Sequence, residues 1–378
     1  MRRLALALLL LSPLLAQTAL AADPSPGRPV PGGPLRYGPP VPHPVSYAAL
    51  PHWRDDAVQE ALPALLASCA VLARPGPAPR GQAALPPYVW GPACADLAAL
   101  AERLPRLAPR QRNAAGRAAI EARFAPHPMG AGLLTGYYEP LLRGRRAPDD
   151  RFRTPLHAPP PELPTTGAPP RAAIEAGALF GRSLELAWLA EPSDAFFLHI
   201  QGSGRVLLED GGVLRLGYAG QNGHPYVAIG RLLIESGAIA REAMSMQAIL
   251  AWMRQEGPEA ANALMRANPS YIFFRELQGL RPNQGPPGAQ GVPLTPRRSV
   301  AVDPDFIPLG APVYVVTRDG AHRRLTIAQD VGGAIRGAAR ADLFHGWAED
   351  AAEAAGRQRD QAQIFVLLPR RSTLPPAQ

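Results

Sequence analysis

Between Ile327 and Gly346 the chain reads IAQDVGGAIRGAARADLFHG, its densest cluster of polar residues in an apolar setting. Asp330 directly follows a strand-like run, Gly332 and Gly333 permit tight turning, and Asp342 comes twelve residues later, just before an aromatic residue. Two carboxylates are therefore expected on adjoining loops of one small domain. A third, Asp303, lies in the turn SVAVDPDFIP that leaves another strand. A carboxyl group set among apolar side chains can hold its proton near neutral pH, giving it up as an acid and recovering it as a base. On spacing alone the simpler reading is that these aspartates form turns and caps.

Such groups have to be positioned by regular elements. From Trp53 to Phe124 the sequence is rich in Ala and Leu with apolar residues at helical spacing, Val58, Leu62, Leu65 and Leu66 and then Leu97, Leu100, Leu104 and Leu107, which predicts helices. Gly130 to Pro140 (GAGLLTGYYEP) reads as a short apolar strand running into a turn with two aromatics. Runs at Phe196–Gln201, Arg205–Leu208 and Val213–Tyr218, separated by Gly-Ser-Gly and Asp-Gly-Gly, predict strands of a central sheet. Helical spacing returns at Tyr226–Glu235 and Ala243–Arg254. Val- and Ile-rich runs at Ser299–Val302, Pro312–Val316, Arg324–Ala328 and Gln363–Leu368 predict a compact β-barrel with one short helix near Trp347–Ala355. The 46 prolines gather at 24–51, 75–87, 155–170 and 282–296, which marks linkers and loops.

With 378 residues the chain can form two domains, each with its own core. It contains no Lys, so all 39 basic side chains are Arg, and the formal charge is +8. That surplus suits an anionic polymer, though codon bias toward Arg explains it equally well. Arg2 and Arg3, the apolar run Leu4–Leu15 and the small residues Ala19, Ala21 and Ala22 have the three parts of a secretory signal peptide, expected over residues 1–22. Export to the periplasm argues against nucleic acid as the partner. It also makes a disulfide between Cys69 and Cys94 the expected state, with two buried thiols as the alternative. Eight His residues show neither ligand spacing nor clustering with Cys, so no metal and no other cofactor is expected. Ser203 lacks the flanks of a nucleophile elbow, and a single Asp-Val-Gly-Gly run does not make the paired motif of an aspartic peptidase.

The stretches LLTGYYEP, HIQGSGRV, YAGQNGHPYVAIGRLLIESG, MSMQAI, NPSYIFFRE, SVAVDPDFIPLG and AQDVGGAIRGAARADLF, in this order between Leu133 and Leu368, resemble the successive motifs of the membrane-bound lytic murein transglycosylase A family. The last two resemble a three-aspartate double-psi β-barrel domain. The resemblance implies a mainly β fold with N-terminal helices (α+β), in which a second β-domain is inserted into the barrel domain and a groove lies between them. It implies a signal peptide (1–22), a proline-rich linker (23–50), a helical N-terminal part of the barrel domain (51–139), an inserted β-domain (140–267), the barrel (268–370) and a tail (371–378). It assigns the catalytic acid to Asp342, with Asp330 and Asp303 in support, and has Tyr137, Tyr138, Glu139, Gln201, Ser203 and Gln247 line or shape the groove. Without it, the two tyrosines read as alternating strand residues and Ser203 as a plain turn residue. No Cys stands near the expected cleavage region, a departure from lipid-anchored members that leaves membrane attachment open.

The implied activity is that of a peptidoglycan lytic exotransglycosylase acting on glycan strands as a monomer, with room for peripheral association with the outer membrane or with cell-wall synthesis complexes. One protonated carboxylic acid is enough for that chemistry. It supplies the leaving oxygen's proton, and the muramic 6-hydroxyl, rather than water, closes onto C1 with a large effective molarity. A neighbouring anion such as Asp330 would help Asp342 to keep its proton, or Asp330 would only accept backbone hydrogen bonds and hold the loop. The alternatives are a muramidase that uses water and a glycan-binding protein without catalysis.

Overall fold

The computed structural model describes residues 41–72, 81, 83, 85–163, 169–347 and 349–370. The expected signal peptide, most of the expected linker and the tail lie outside them. Three helices come first, α1 (Leu62–Leu72), α2 (Pro87–Arg103) and α3 (Pro109–Arg123). Trp90, Ala93, Cys94, Leu97 and Leu100 are buried along α2 at intervals of three and four residues, so one stripe faces the core. Pro109 starts α3, and Gln111 accepts the Ala108 N–H. A disulfide joins Cys69 on α1 to Cys94 on α2.

Six strands close a barrel in the order β1 (Phe124–Glu139), β11 (Arg340–Trp347), β8 (Ser299–Val302), β10 (Arg323–Asp330), β9 (Pro312–Thr317) and β12 (Arg359–Pro369). β1 pairs antiparallel with β12 and parallel with β11, so it completes the barrel from a point far upstream in the chain. The barrel interior and the three helices share one apolar cluster that includes Trp53, Trp90, Val300, Tyr314 and Val366. Arg298, just before β8, ties the N-terminal segment to the barrel: it donates to Asp56, Ala57 O and Glu60, while the Leu325 N–H donates to the same Asp56 carboxylate. Residues 41–50, expected as linker, also pack here, since the Val45 N–H donates to Pro126 O and the Tyr47 hydroxyl to Phe124 O.

The second sheet has the order β3 (Thr154–His157), β4 (Glu185–Leu189), β2 (Leu141–Arg145), β5 (Ser203–Leu208), β6 (Val213–Gln221) and β7 (Ile272–Glu276). Its Pro155 sits in β3, at the sheet edge, where a missing N–H costs no ladder bond. The helices of this part are α4 (Arg171–Ala173), α5 (Pro192–Gln201), α6 (Ile229–Glu235) and α7 (Met246–Arg266); α8 (Glu349–Arg357) belongs to the barrel. Helices, a barrel and a second β-domain together give the mixed architecture expected from the sequence. No helix among the described residues is long and apolar enough to cross a membrane.

Two local expectations are corrected. Phe196–Gln201 is not a strand but the end of α5, which begins at Pro192 and stops where Gly202 takes a left-handed conformation (φ 76°). Ala195, Phe196, Leu198 and His199 are buried on one broad face of that helix, but Phe197 and the exposed Ile200 are apolar as well, so the apolar run is continuous and its period unreadable. Helical spacing also ended too early at Arg254: Gly257 (φ 87°) and Pro258 bend α7, and the chain resumes helical conformation to Arg266.

The Cys69–Cys94 bridge closes a separation of 25 residues between two helices of the main core. Reduction, or Cys94→Ala, is expected to lower unfolding stability by about 3 kcal/mol in a denaturant titration, because a crosslink of that length limits the unfolded chain.

Candidate active site

Asp342 does not stand on a loop. It is the third residue of β11, and Asp330 is the last of β10, which corrects the expectation of two loop-borne carboxylates. Both pair with Ala301 of β8, one from each side, so their Cα atoms lie two strand spacings apart, about 10 Å. The parallel register sets Thr135 of β1 opposite Asp342 and Tyr137 opposite Phe344. Side chains two apart on a strand share a face, so Arg340, Asp342 and Phe344 stand beside Thr135 and Tyr137.

The Thr135 hydroxyl donates to Asp342 Oδ1 at 2.5 Å. Arg340 in turn donates from Nη2 to Thr135 Oγ1 at 2.8 Å and from Nη1 to the carbonyls of Leu133 and Ala341. Burial pushes the Asp342 carboxyl up to about 6, against the lowering effects of the Thr135 hydrogen bond and the Arg340 charge; the Asp330 charge adds a smaller push upward. Desolvation, not the neighbouring anion, is thus the main cause.

Asp330 is held on both oxygens. Its Oδ1 accepts the N–H groups of Ala289 and Val331, each at 2.9 Å, and its Oδ2 accepts the Tyr137 hydroxyl at 2.9 Å. Burial still raises its pKa, and the three hydrogen bonds oppose that rise. Asp303 is buried; its Oδ1 accepts the Asp305 N–H and its Oδ2 accepts the Gly337 N–H at 2.8 Å, so it fixes the loop between β10 and β11.

The other expected residues separate into distinct groups. Tyr137 packs against Phe344 with ring centroids 5.3 Å apart and planes tilted by 50°, while its hydroxyl reaches Asp330. Glu139 is fully buried, bound by Arg205 Nε and Arg215 Nη2 at 2.8 Å each, and Arg205 lies 4.2 Å over the Trp347 ring. That carboxylate fastens the end of β1 to β5 and β6 of the second sheet. Gln201 accepts the Tyr138 N–H at 3.1 Å, and Ser203 is buried at the start of β5. Tyr138 is half-buried, whereas Gln247 is exposed in the first turn of α7, its amide lying against Gly356 of α8. The structure therefore brings Tyr137 directly to Asp330, sets Asp342 near enough to both for their charges to interact, and leaves Gln247 as the outlying member. Sequence reading passes over Thr135 and Arg340; the signal available was only that each is two residues from a residue singled out for chemistry.

Gly132 and Gly136 show why β1 has this composition. A Cβ on Gly132 would lie 1.7 Å from the Ala339 carbonyl oxygen, and one on Gly136 would lie 2.8 Å from the His345 ring. Only glycine lets β1 come close enough to β11 and α8 for Thr135 to reach Asp342.

A closed barrel with two partly buried carboxyl groups in its wall, joined to a second sheet through its first strand, gives a two-domain protein of mixed helices and sheets. Residues 133–275 match the model of the MltA specific insert domain and residues 298–368 that of the 3D domain. A membrane-bound lytic murein transglycosylase A of Vibrio cholerae is 36% identical over 253 residues, which is 63% of this chain; the match spans 66% of that relative, just under two thirds of its length. The crystal structure of a membrane-bound lytic murein transglycosylase from Agrobacterium tumefaciens superposes with a TM-score of 0.76 at 33% identity, covering 86% of this chain and 97% of the other. The structure of Escherichia coli MltA with bound chitohexaose gives a TM-score of 0.65 at 28% identity, covering 82% and 90%. The chain belongs to the membrane-bound lytic murein transglycosylase A family.

The raised Asp342 pKa also bears on stability. From its ordinary value of 3.8 to about 6 the folded protein binds the proton more tightly than the unfolded chain. Stability from this group is therefore complete below about pH 4 and is lost as pH rises through about 6. Asp342→Asn is expected to melt higher than the parent at about pH 8 and to show no such gain at about pH 4, measured by thermal unfolding at both values.

Proposed function

We propose that this protein is a lytic transglycosylase that cleaves the β-1,4 bond between N-acetylmuramic acid and N-acetylglucosamine in peptidoglycan, with Asp342 as its single acid and base. The observation that carries this reading is the Asp342 carboxyl group, lifted by burial to about 6 on the wall of the barrel with the Thr135 hydroxyl on one of its oxygens. In the first step Asp342 gives its proton to the glycosidic oxygen as the C1–O bond breaks and positive charge builds on the muramic ring. The 6-hydroxyl of the same sugar then attacks C1, its proton passes to the Asp342 carboxylate, and a 1,6-anhydro end forms with the acid restored. No water enters the balance. An intramolecular nucleophile suits a site that offers no second free carboxylate, since Asp330 is held by three donors and Asp303 by loop N–H groups.

We infer that the glycan lies in a groove between the barrel and the second sheet, passing Asp342, with Tyr138 and Gln247 beside it. The exposure of Gln247 and the bound chitohexaose of the Escherichia coli relative support that course. Export is supported by the apolar N-terminal run, and an envelope location by the membrane-bound designation of the relatives. Contact with the outer membrane or with synthesis complexes would then be peripheral.

Digestion of whole sacculi followed by mass spectrometry tests the reading. A muropeptide product lighter by one water than the hydrolytic product is expected; the heavier product would indicate a muramidase, and an unchanged substrate a binding protein. Asp342→Asn should lower turnover roughly 10³-fold while strand binding persists. Turnover of the parent should fall as pH rises through about 6, because the acid must enter the cycle protonated. Asp330→Asn should cost less and move the optimum to lower pH, since it removes an anion that holds the Asp342 proton in place.

A further inference from the structure

We propose that Arg340, acting through the hydroxyl of Thr135, is a positioning residue that decides which oxygen of Asp342 carries the acid proton. The inference rests on the reading of Asp342 as the acid and adds to it a direction for the proton.

The argument begins with hydrogen-bond inventory. A threonine hydroxyl has one hydrogen to give and lone pairs to receive, so by itself it can point either way. A guanidinium has only donors and stays charged at any pH of interest. With Arg340 Nη2 donating to Thr135 Oγ1 at 2.8 Å, the hydroxyl hydrogen is left for Asp342 Oδ1 at 2.5 Å. The chain of donors runs from arginine to threonine to aspartate and cannot reverse. Oδ1 must then act as the acceptor in both protonation states, as a carbonyl-type oxygen in the acid and as a carboxylate oxygen in the base. Among the described residues the Thr135 bond is the hydrogen bond given to this carboxyl group. The proton is thereby assigned to Oδ2, the oxygen left for the substrate.

The arrangement also explains why the cation is not in direct contact. An arginine paired straight to the carboxylate would pull its pKa down by roughly 1–3 and favour the ionised form. One intervening hydroxyl keeps the orienting effect and weakens the charge effect. Arg340 itself is fixed by the Leu133 and Ala341 carbonyls, which belong to the two strands that carry Thr135 and Asp342. Strand register thus places donor, relay and acid as one rigid set.

The test compares Arg340→Met, Thr135→Val and Thr135→Ser in kcat, KM and pH profile on peptidoglycan, with melting temperatures and Asp342→Asn measured alongside. Arg340→Met and Thr135→Val are each expected to lower kcat about tenfold with KM changed by less than about twofold. Both should move the alkaline limb of the profile upward by roughly one pH unit, since each removes an interaction that favours the carboxylate. Thr135→Ser, which restores the hydroxyl, should recover most of the loss. Parental kcat and an unmoved limb in both variants would overturn the proposal, as would a fall in melting temperature that accounts for the loss while the profile stays in place. If Asp342→Asn is inactive but Arg340→Met and Thr135→Val behave as the parent, the acid assignment stands and the relay fails; if Asp342→Asn retains full turnover, the acid assignment itself fails.

Discussion

The parallel pairing of β1 with β11 is the contact on which the site depends. It brings Thr135 within hydrogen-bond reach of Asp342 across 207 positions of sequence, and it is possible only because Gly132 and Gly136 carry no Cβ to hold the strands and α8 apart. A parallel neighbour cannot be reached by a hairpin, so the chain must travel before it returns. Here the journey builds the second sheet and its helices. The insertion of one domain into another is thus also the connection that the barrel's strand order requires.

At the far end of β1 the fully buried Glu139 binds two arginines of the second sheet. Further donors of the two guanidinium groups reach the Pro282, Gln284 and Arg281 carbonyls, while Arg215 Nε is buried without a hydrogen-bond partner among the described residues. Replacing such a group by a shorter one would strand two buried cations, which makes the arrangement sensitive to angle as well as distance. The end of β1 is held to the second domain by this clamp and by the Gln201 contact to the Tyr138 backbone.

The half-buried Asp330 and Asp342 show how neighbouring carboxyl groups acquire different partners. Asp330 is satisfied by three donors, two of them backbone, and serves the loop and Tyr137. Among the described residues Asp342 receives one donor, the Thr135 hydroxyl on Oδ1. Burial lifts both, opposed at Asp330 by three hydrogen bonds and at Asp342 by the Thr135 hydrogen bond and the Arg340 charge. A group that stores its proton in this way is costly to the fold above its pKa, a common exchange of stability for reactivity at active sites.

The sequence by itself determined the mixed class of the fold, because Ala- and Leu-rich helical spacing followed by short Val- and Ile-rich runs reports burial on one face or two. Its ordered motifs also led to the family and to Asp342. It misread Phe196–Gln201, where the apolar Phe197 and exposed Ile200 fill the gaps in the helical period, and it placed the aspartates on loops because glycines around them signal turning whether the turn precedes or follows the residue. What only the tertiary structure decided was partnership. That Glu139 is an interior clamp, that Asp330 is already occupied, and that Arg340 and Thr135 stand behind Asp342 follow from strand register between segments more than 60 residues apart. Register between distant strands is set by the packing of the whole barrel, and no local pattern of residue types encodes it.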